Sequence, residues 1–213
     1  MSCPICQRRK ATRFCPARGE SICTICCGTE REVTLDCPAD CIYLIRAREQ
    51  EEEQRKPVPR AELPFAELEL PTGVLDLNRQ LVATMATTIL GFEAETRGLA
   101  DADVAATLRA MGETYRTLTS GLYYEKPPEG GPSRELYTQL REAVQALRKD
   151  QLSRAALPVV KDSDVLYVTV FLARVLRTHS NGRPKCRAFI GFLGAQFPPV
   201  KGEEKEAPRI IVP

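Results

Sequence analysis

Eight cysteines fall within the first 41 residues, and thiols at these spacings suit one kind of chemistry, the holding of metal ions. Cys3 and Cys6 are separated by two residues, as are Cys23 and Cys26. Cys15 stands between these pairs, Cys27 follows Cys26 directly, and Cys37 and Cys41 are separated by three residues. A gap of two lets both thiolates of a turn such as CPIC or CTIC point at one tetrahedral ion, and four-cysteine zinc sites are commonly assembled from two such turns. Eight thiols therefore match two structural zinc ions. A disulfide scaffold is the competing use of dense cysteines, and it requires an oxidising compartment. No apolar leader precedes Cys3 and no apolar run is long enough to span a bilayer, so the expectation is a reduced, intracellular, cytoplasmic protein without a membrane segment.

Ligand order gives the wiring. If Cys3, Cys6, Cys23 and Cys26 close one site, Cys15 is left to join Cys37 and Cys41 in a second, an interleaved, cross-braced arrangement. This series resembles the B-box finger, and the gaps from Cys23 to Cys27 and from Cys37 to Cys41 are similar to those of MYND and HIT fingers. The resemblance covers about a fifth of the chain, residues 3–41, and implies protein–protein contact. Where those families place a further ligand, this chain has Arg18, whose fixed positive charge cannot bind zinc. Cys26 or Cys27 is expected to supply the missing thiolate, and the spacing leaves open which of the two serves which ion. A catalytic zinc would need an open position and a nearby proton-managing residue. The single histidine, His179, is remote in sequence, and Glu20 and Asp36 are candidates only by proximity.

The remaining sequence must position this module. Residues 1–45 form the finger, and Ile42, Leu44 and Ile45 are expected to pack beneath its last knuckle. Residues 46–72 start as a helix that is polar all round and continue as a stiff connection set by Pro57, Pro59, Pro64 and Pro71. Helical spacing takes over in residues 73–198. Val74, Leu77, Leu81, Met85 and Phe92 share one face, widened by Leu75, Val82 and Ile89. Val104, Leu108, Met111, Tyr115, Leu118 and Leu122 make a second stripe, with Asp101 or Asp103 as its cap. Ser133 caps a third, carrying Leu136, Leu140, Ala143 and Leu147 and ending at Pro158. The apolar run 164–178 reads as a central helix, a buried strand being the alternative, and Cys186 to Phe197 as a short last one. Residues 199–213 read as a disordered tail. The fold class is thus mainly α, a two-zinc module followed by a helical bundle.

Formal net charge is only +2, and eight thiolates with two zinc ions would bring it to about −2, so bulk charge gives no mandate for nucleic acid. Locally the field is positive, because Val165 to Gly202 contains no Asp or Glu. Arg174, Arg177, Arg183, Lys185 and Arg187 form a candidate anion-binding tract, although Arg174 and Arg177 also suit a helix C-terminus. Arg8, Arg9, Lys10, Arg13 and Arg18 form a second basic cluster. His179 is expected to belong to the same helix cap, and Cys186 to be a packed core thiol. No glycine-rich phosphate cradle, serine elbow or paired-histidine motif occurs, and nothing calls for an enzyme. The expectation is a non-enzymatic zinc protein that binds protein partners, with nucleic-acid binding as the alternative and self-association open.

Overall fold

In the first 41 residues the chain has too few large apolar side chains for an ordinary core, and its buried cluster there is Cys3, Cys15, Ile22, Cys23, Cys26, Cys27 and Leu35. The computed structural model describes residues 1–154 and 159–198. Two short strands, β1 (Arg13–Cys15) and β2 (Glu20–Ile22), pair antiparallel with Arg13 opposite Ile22 and Cys15 opposite Glu20. Gly19 closes the turn at φ +68°, where a side chain would be strained. A short helix, α1 (Thr24–Glu30), follows at once, and α2 (Ile42–Glu53) leaves the module directly after Cys41. Of the three aliphatics expected beneath the last knuckle only Leu44 is buried; Ile42 and Ile45 are exposed.

The segment between α2 and the bundle is a strap laid on the helices, and not a free spacer. It contains a single 3₁₀ turn, Arg60–Glu62, and then packs Phe65, Leu68 and Leu70 against the core. Arg174 fixes this course by donating to the carbonyls of Pro64 (3.1 Å), Phe65 (2.6 Å) and Leu68 (2.7 Å). Phe65 adopts φ +54°, and its ring sits directly over Gly112, where an added Cβ would lie 2.4 Å from the ring.

The first bundle element is broken in two, α3 (Val74–Leu77) and α4 (Arg79–Glu95). Asn78 interrupts it, its buried amide donating to the Val74 carbonyl at 3.0 Å. The break turns Leu77 out of the expected apolar face to 86% exposure. Next come α5 (Asp101–Thr119), α6 (Gly131–Ser153), α7 (Asp162–His179) and α8 (Ala188–Gln196). α5 lies along α7 and α6, α4 packs on α6, and α8 crosses α4, α7 and α5. The core joins Met85, Ile89, Leu108, Met111, Leu136, Leu140, Val168 and Phe189.

α7 is the central helix that the length of its apolar run favours over a strand, with Val165, Val168, Thr169, Val170 and Leu172 buried. Its start is fixed by Asp164, which accepts the Lys161 N–H at 2.9 Å; Asp103 does the same for Ala100 at 3.1 Å. Asp101 has a different task from the one expected of it. Fully buried, it accepts the N–H groups of Phe189 (3.1 Å) and Ile190 (3.3 Å), capping α8 from another helix. α6 begins at Gly131 with Pro132 in its first turn, and Ser133 donates to the Gly130 carbonyl at 3.0 Å. The apolar stripe of α5 ends before Leu122, which is exposed. The expected stop at Pro158 and the tail 199–213 lie outside the described residues. No helix among the described residues is long and apolar enough to cross a membrane.

Candidate metal centre

Each cysteine is placed by a local device. In the first turn Cys3 donates its N–H to Arg9 O at 2.7 Å and accepts Gln7 N–H at 2.7 Å, with Gln7 left-handed at φ +53°. This tight fold turns Cys3 and Cys6 inward. Cys23 is the residue before α1, and its sulfur accepts the Cys26 N–H at 3.4 Å. The sulfurs of Cys3, Cys6, Cys23 and Cys26 all lie within 4.8 Å of one another, with Cys6 and Cys23 at 3.9 Å. A tetrahedron with zinc–sulfur bonds of about 2.3 Å has edges of about 3.8 Å, so this cluster has the size and donor set for one ion.

The thiols of the cluster shift one another's titration. Burial works against a charged Cys3, but N–H donors from Cys6, Cys23 and Ile5 and the Cys23 thiol bring it down to about 6. The Arg8 and Arg9 N–H groups lower Cys6 as well. Burial, then the thiols of Cys23, Cys6 and Cys3, push Cys26 up to about 12. Four thiols this close cannot all ionise without a positive charge among them, and metal binding here must therefore release protons.

The other four cysteines line a common cavity. Cys15, Cys27, Cys37 and Cys41 line one cavity of about 10 Å³, together with Phe14, Leu35 and Tyr43. That is room for an ion or a water and nothing larger. Burial raises the Cys37 pKa, the Glu32 N–H opposes this, and nearby Cys41 and Cys15 add to the rise. Their sulfurs are less tightly gathered than those of the first set, which is the one thiol group within mutual 4.8 Å reach among the described residues. Cys26 and Cys27 diverge because consecutive helical residues point about 100° apart. Cys26 enters the first set and Cys27 lines the second cavity. Arg18 is exposed and paired with Glu20 at 2.6 Å, outside both sets.

The basic tract is directed at the protein itself. Arg183 donates to the carbonyls of Gly28 (3.1 Å) and Arg31 (2.7 Å), and the Lys185 ammonium to Thr34 O (2.7 Å). Arg187 binds Leu99 O and pairs with Asp36, both at 3.0 Å, while Arg177 reaches Glu62 at 3.4 Å. With Arg174 on the strap, all five residues hold the finger, the strap or α5 in place. Apart from Leu99 O, their shared acid-free stretch finds its counter-charges and carbonyls in the first 70 residues. His179 ends α7 as expected, with its ring stacked on Phe192 at 4.1 Å and its Nδ1 accepting from Arg55 at 3.3 Å. Cys186 is fully buried, and burial pushes its thiol up to about 11.

One important residue carries no mark in the sequence. Glu32 is 1% exposed, and its carboxylate accepts from Arg48 at 2.8 Å and Asn181 at 3.0 Å. Nothing distinguishes it from its acidic neighbours Glu30 and Asp36 until the finger is docked on the helices. A cavity of about 490 Å³ opens elsewhere, between α3, α4, α6 and α7, lined by Asn78, Gln151, Lys161, Asp164 and Tyr167. Compared with models of known families, with curated proteins and with solved structures, the chain matches none.

Proposed function

We propose that this protein is a non-enzymatic interaction module whose amino-terminal part is folded by two structural zinc ions and carried on a helical bundle. The observation that carries the reading is the closure of the first site. Four protein thiols lie within 4.8 Å of one another, and a tetrahedral ion bound by all four would have no position left for substrate or water. Cys15, Cys27, Cys37 and Cys41 supply the second ion with the same donor chemistry. Soft thiolate donors in tetrahedral number favour zinc over magnesium, calcium or manganese.

Contact with protein is supported by the finger's outer surface, where Phe14, Ile25, Ile42 and Ile45 stand exposed on a module too small to waste apolar area. Nucleic-acid binding draws less support, because the donors of Arg174, Arg183, Lys185 and Arg187 are engaged within the chain. The reading places the protein where thiols stay reduced, as in the cytoplasm.

Metal content tests it. Protein purified under reducing conditions should carry two zinc ions per chain by native mass spectrometry and elemental analysis. A content of fewer than two ions per chain would overturn the two-ion reading, and one well below a single ion the whole proposal.

A further inference from the structure

The two thiol sets differ in what lies beside them. Cys3 and Cys6 sit in a turn closed by bonds within the finger, Cys3 donating its N–H to Arg9 O and accepting the Gln7 N–H, both at 2.7 Å, with the Cys6 and Cys23 sulfurs 3.9 Å apart. The second set brackets the segment 28–36, with Cys27 before it and Cys37 after it. That same segment is where the helical domain holds on. Four consecutive stations on it, the carbonyls of Gly28, Arg31, Glu32 and Thr34, accept hydrogen bonds from Arg183 and Lys185, the Lys185 backbone N–H meeting Glu32 O at 2.8 Å.

Glu32 joins the two sides. Its backbone is left-handed at φ +55°, a conformation an ordinary side chain enters only when its surroundings over-determine it. In this conformation its carbonyl accepts the Lys185 N–H at 2.8 Å while its carboxylate lies between Arg48 and Asn181. One residue inside the segment between Cys27 and Cys37 thus holds the helical domain through both its carbonyl and its carboxylate.

We propose that occupancy of the second thiol set and docking of the finger on the helical domain are thermodynamically linked through the 28–36 segment, with Glu32 as the positioning residue. An ion held by Cys15, Cys27, Cys37 and Cys41 pins both ends of the segment and presents its carbonyls to residues 181–187; loss of that ion releases them. The first ion has no such role. The inference rests on the two-ion reading above.

Hydrogen exchange on the zinc-loaded full chain tests it, with Cys37→Ser compared with Cys6→Ser. Amides of residues 181–187 should exchange about tenfold faster in Cys37→Ser, the scale of an ordinary coupling between sites, and stay near the parent rate in Cys6→Ser. Equal protection of 181–187 in both variants, or equal loosening, would overturn the linkage. Because coupling is reciprocal, Arg183→Ala, which leaves every thiol in place, should release one of its two ions to a chromophoric chelator about tenfold faster than the parent protein. Release of both ions at the parent rate would refute the linkage even if Cys37→Ser proved unable to fold. The metal count separates the two failures. Fewer than two ions on the parent protein sinks the two-ion reading, whereas two ions with an indifferent 181–187 sinks only the linkage.

Discussion

At Gly112 the absence of a side chain is a packing requirement. An alanine there gains about 1 kcal/mol of helix propensity, but its Cβ would fall 2.4 Å from the Phe65 ring. The ring has little freedom to yield, because Arg174 holds the carbonyl of the same residue at 2.6 Å. Overpacking of this kind costs about 1–3 kcal/mol, so it wins. Gly112→Ala should lower the denaturant midpoint, and Phe65→Leu in the same chain should recover part of the loss; a more stable single variant would show that the ring does not sit there. At this scale the sequence was partly legible. Cysteine spacing marked the thiols of the first set because two gaps of two each bring a pair of sulfurs together locally. It could not separate Cys26 from Cys27, because that choice depends on how α1 is rotated about its axis against β1 and the knuckle.

Among the elements, the long helices were legible because their apolar periodicity is long and uninterrupted, as in α5 and α6. The α3–α4 break was not, since Asn78 becomes a breaker only when its amide bonds Val74 and approaches Asp164 at 3.5 Å. The proline-rich strap misled for a similar reason: composition reports stiffness, while Phe65, Leu68 and Leu70 find their contacts only in the folded bundle. The end of α7 yields a pH dependence. Burial first, and then Arg55, lower the His179 pKa, against smaller opposing effects of Glu52 and Asp101. The unfolded chain therefore takes up its proton at a higher pH than the folded one. Stability is undiminished above the ordinary histidine value of about 6.5 and falls as pH drops below it. His179→Phe keeps a ring against Phe192 but cannot titrate. Urea unfolding from about pH 7 to about pH 5 should show a shallower loss in this variant than in the parent. An unchanged slope would assign the acid sensitivity to other groups.

Across the whole molecule, the acid-free tract and the acid-bearing finger are complementary halves of one contact. Arg183, Lys185 and Arg187 meet the segment that contains Glu32 and Asp36, and Asn181 also reaches Glu51 of α2 at 3.2 Å. Charge counting along the chain found the positive half and left its partner unknown, because the match is made across about 150 residues of sequence. The mainly helical class was legible at this scale and the docking was not. Such burial of a carboxylate is tolerated because Glu32 is both paired and hydrogen-bonded.

The strap between α2 and α3 has a practical corollary for dissecting the protein. Its prolines and charges invite a cut between finger and bundle, yet Phe65, Leu68 and Leu70 belong to the bundle's core and Arg174 grips their backbone. Limited trypsin digestion of the native protein should spare the bonds after Arg60 and Arg174. A shortened chain starting after residue 72 should be poorly soluble, while one starting near residue 57 keeps its own lining. Early cleavage at Arg60 would mean the strap peels away in solution. The natural seam for separating the two parts therefore lies upstream of the prolines, at the end of α2.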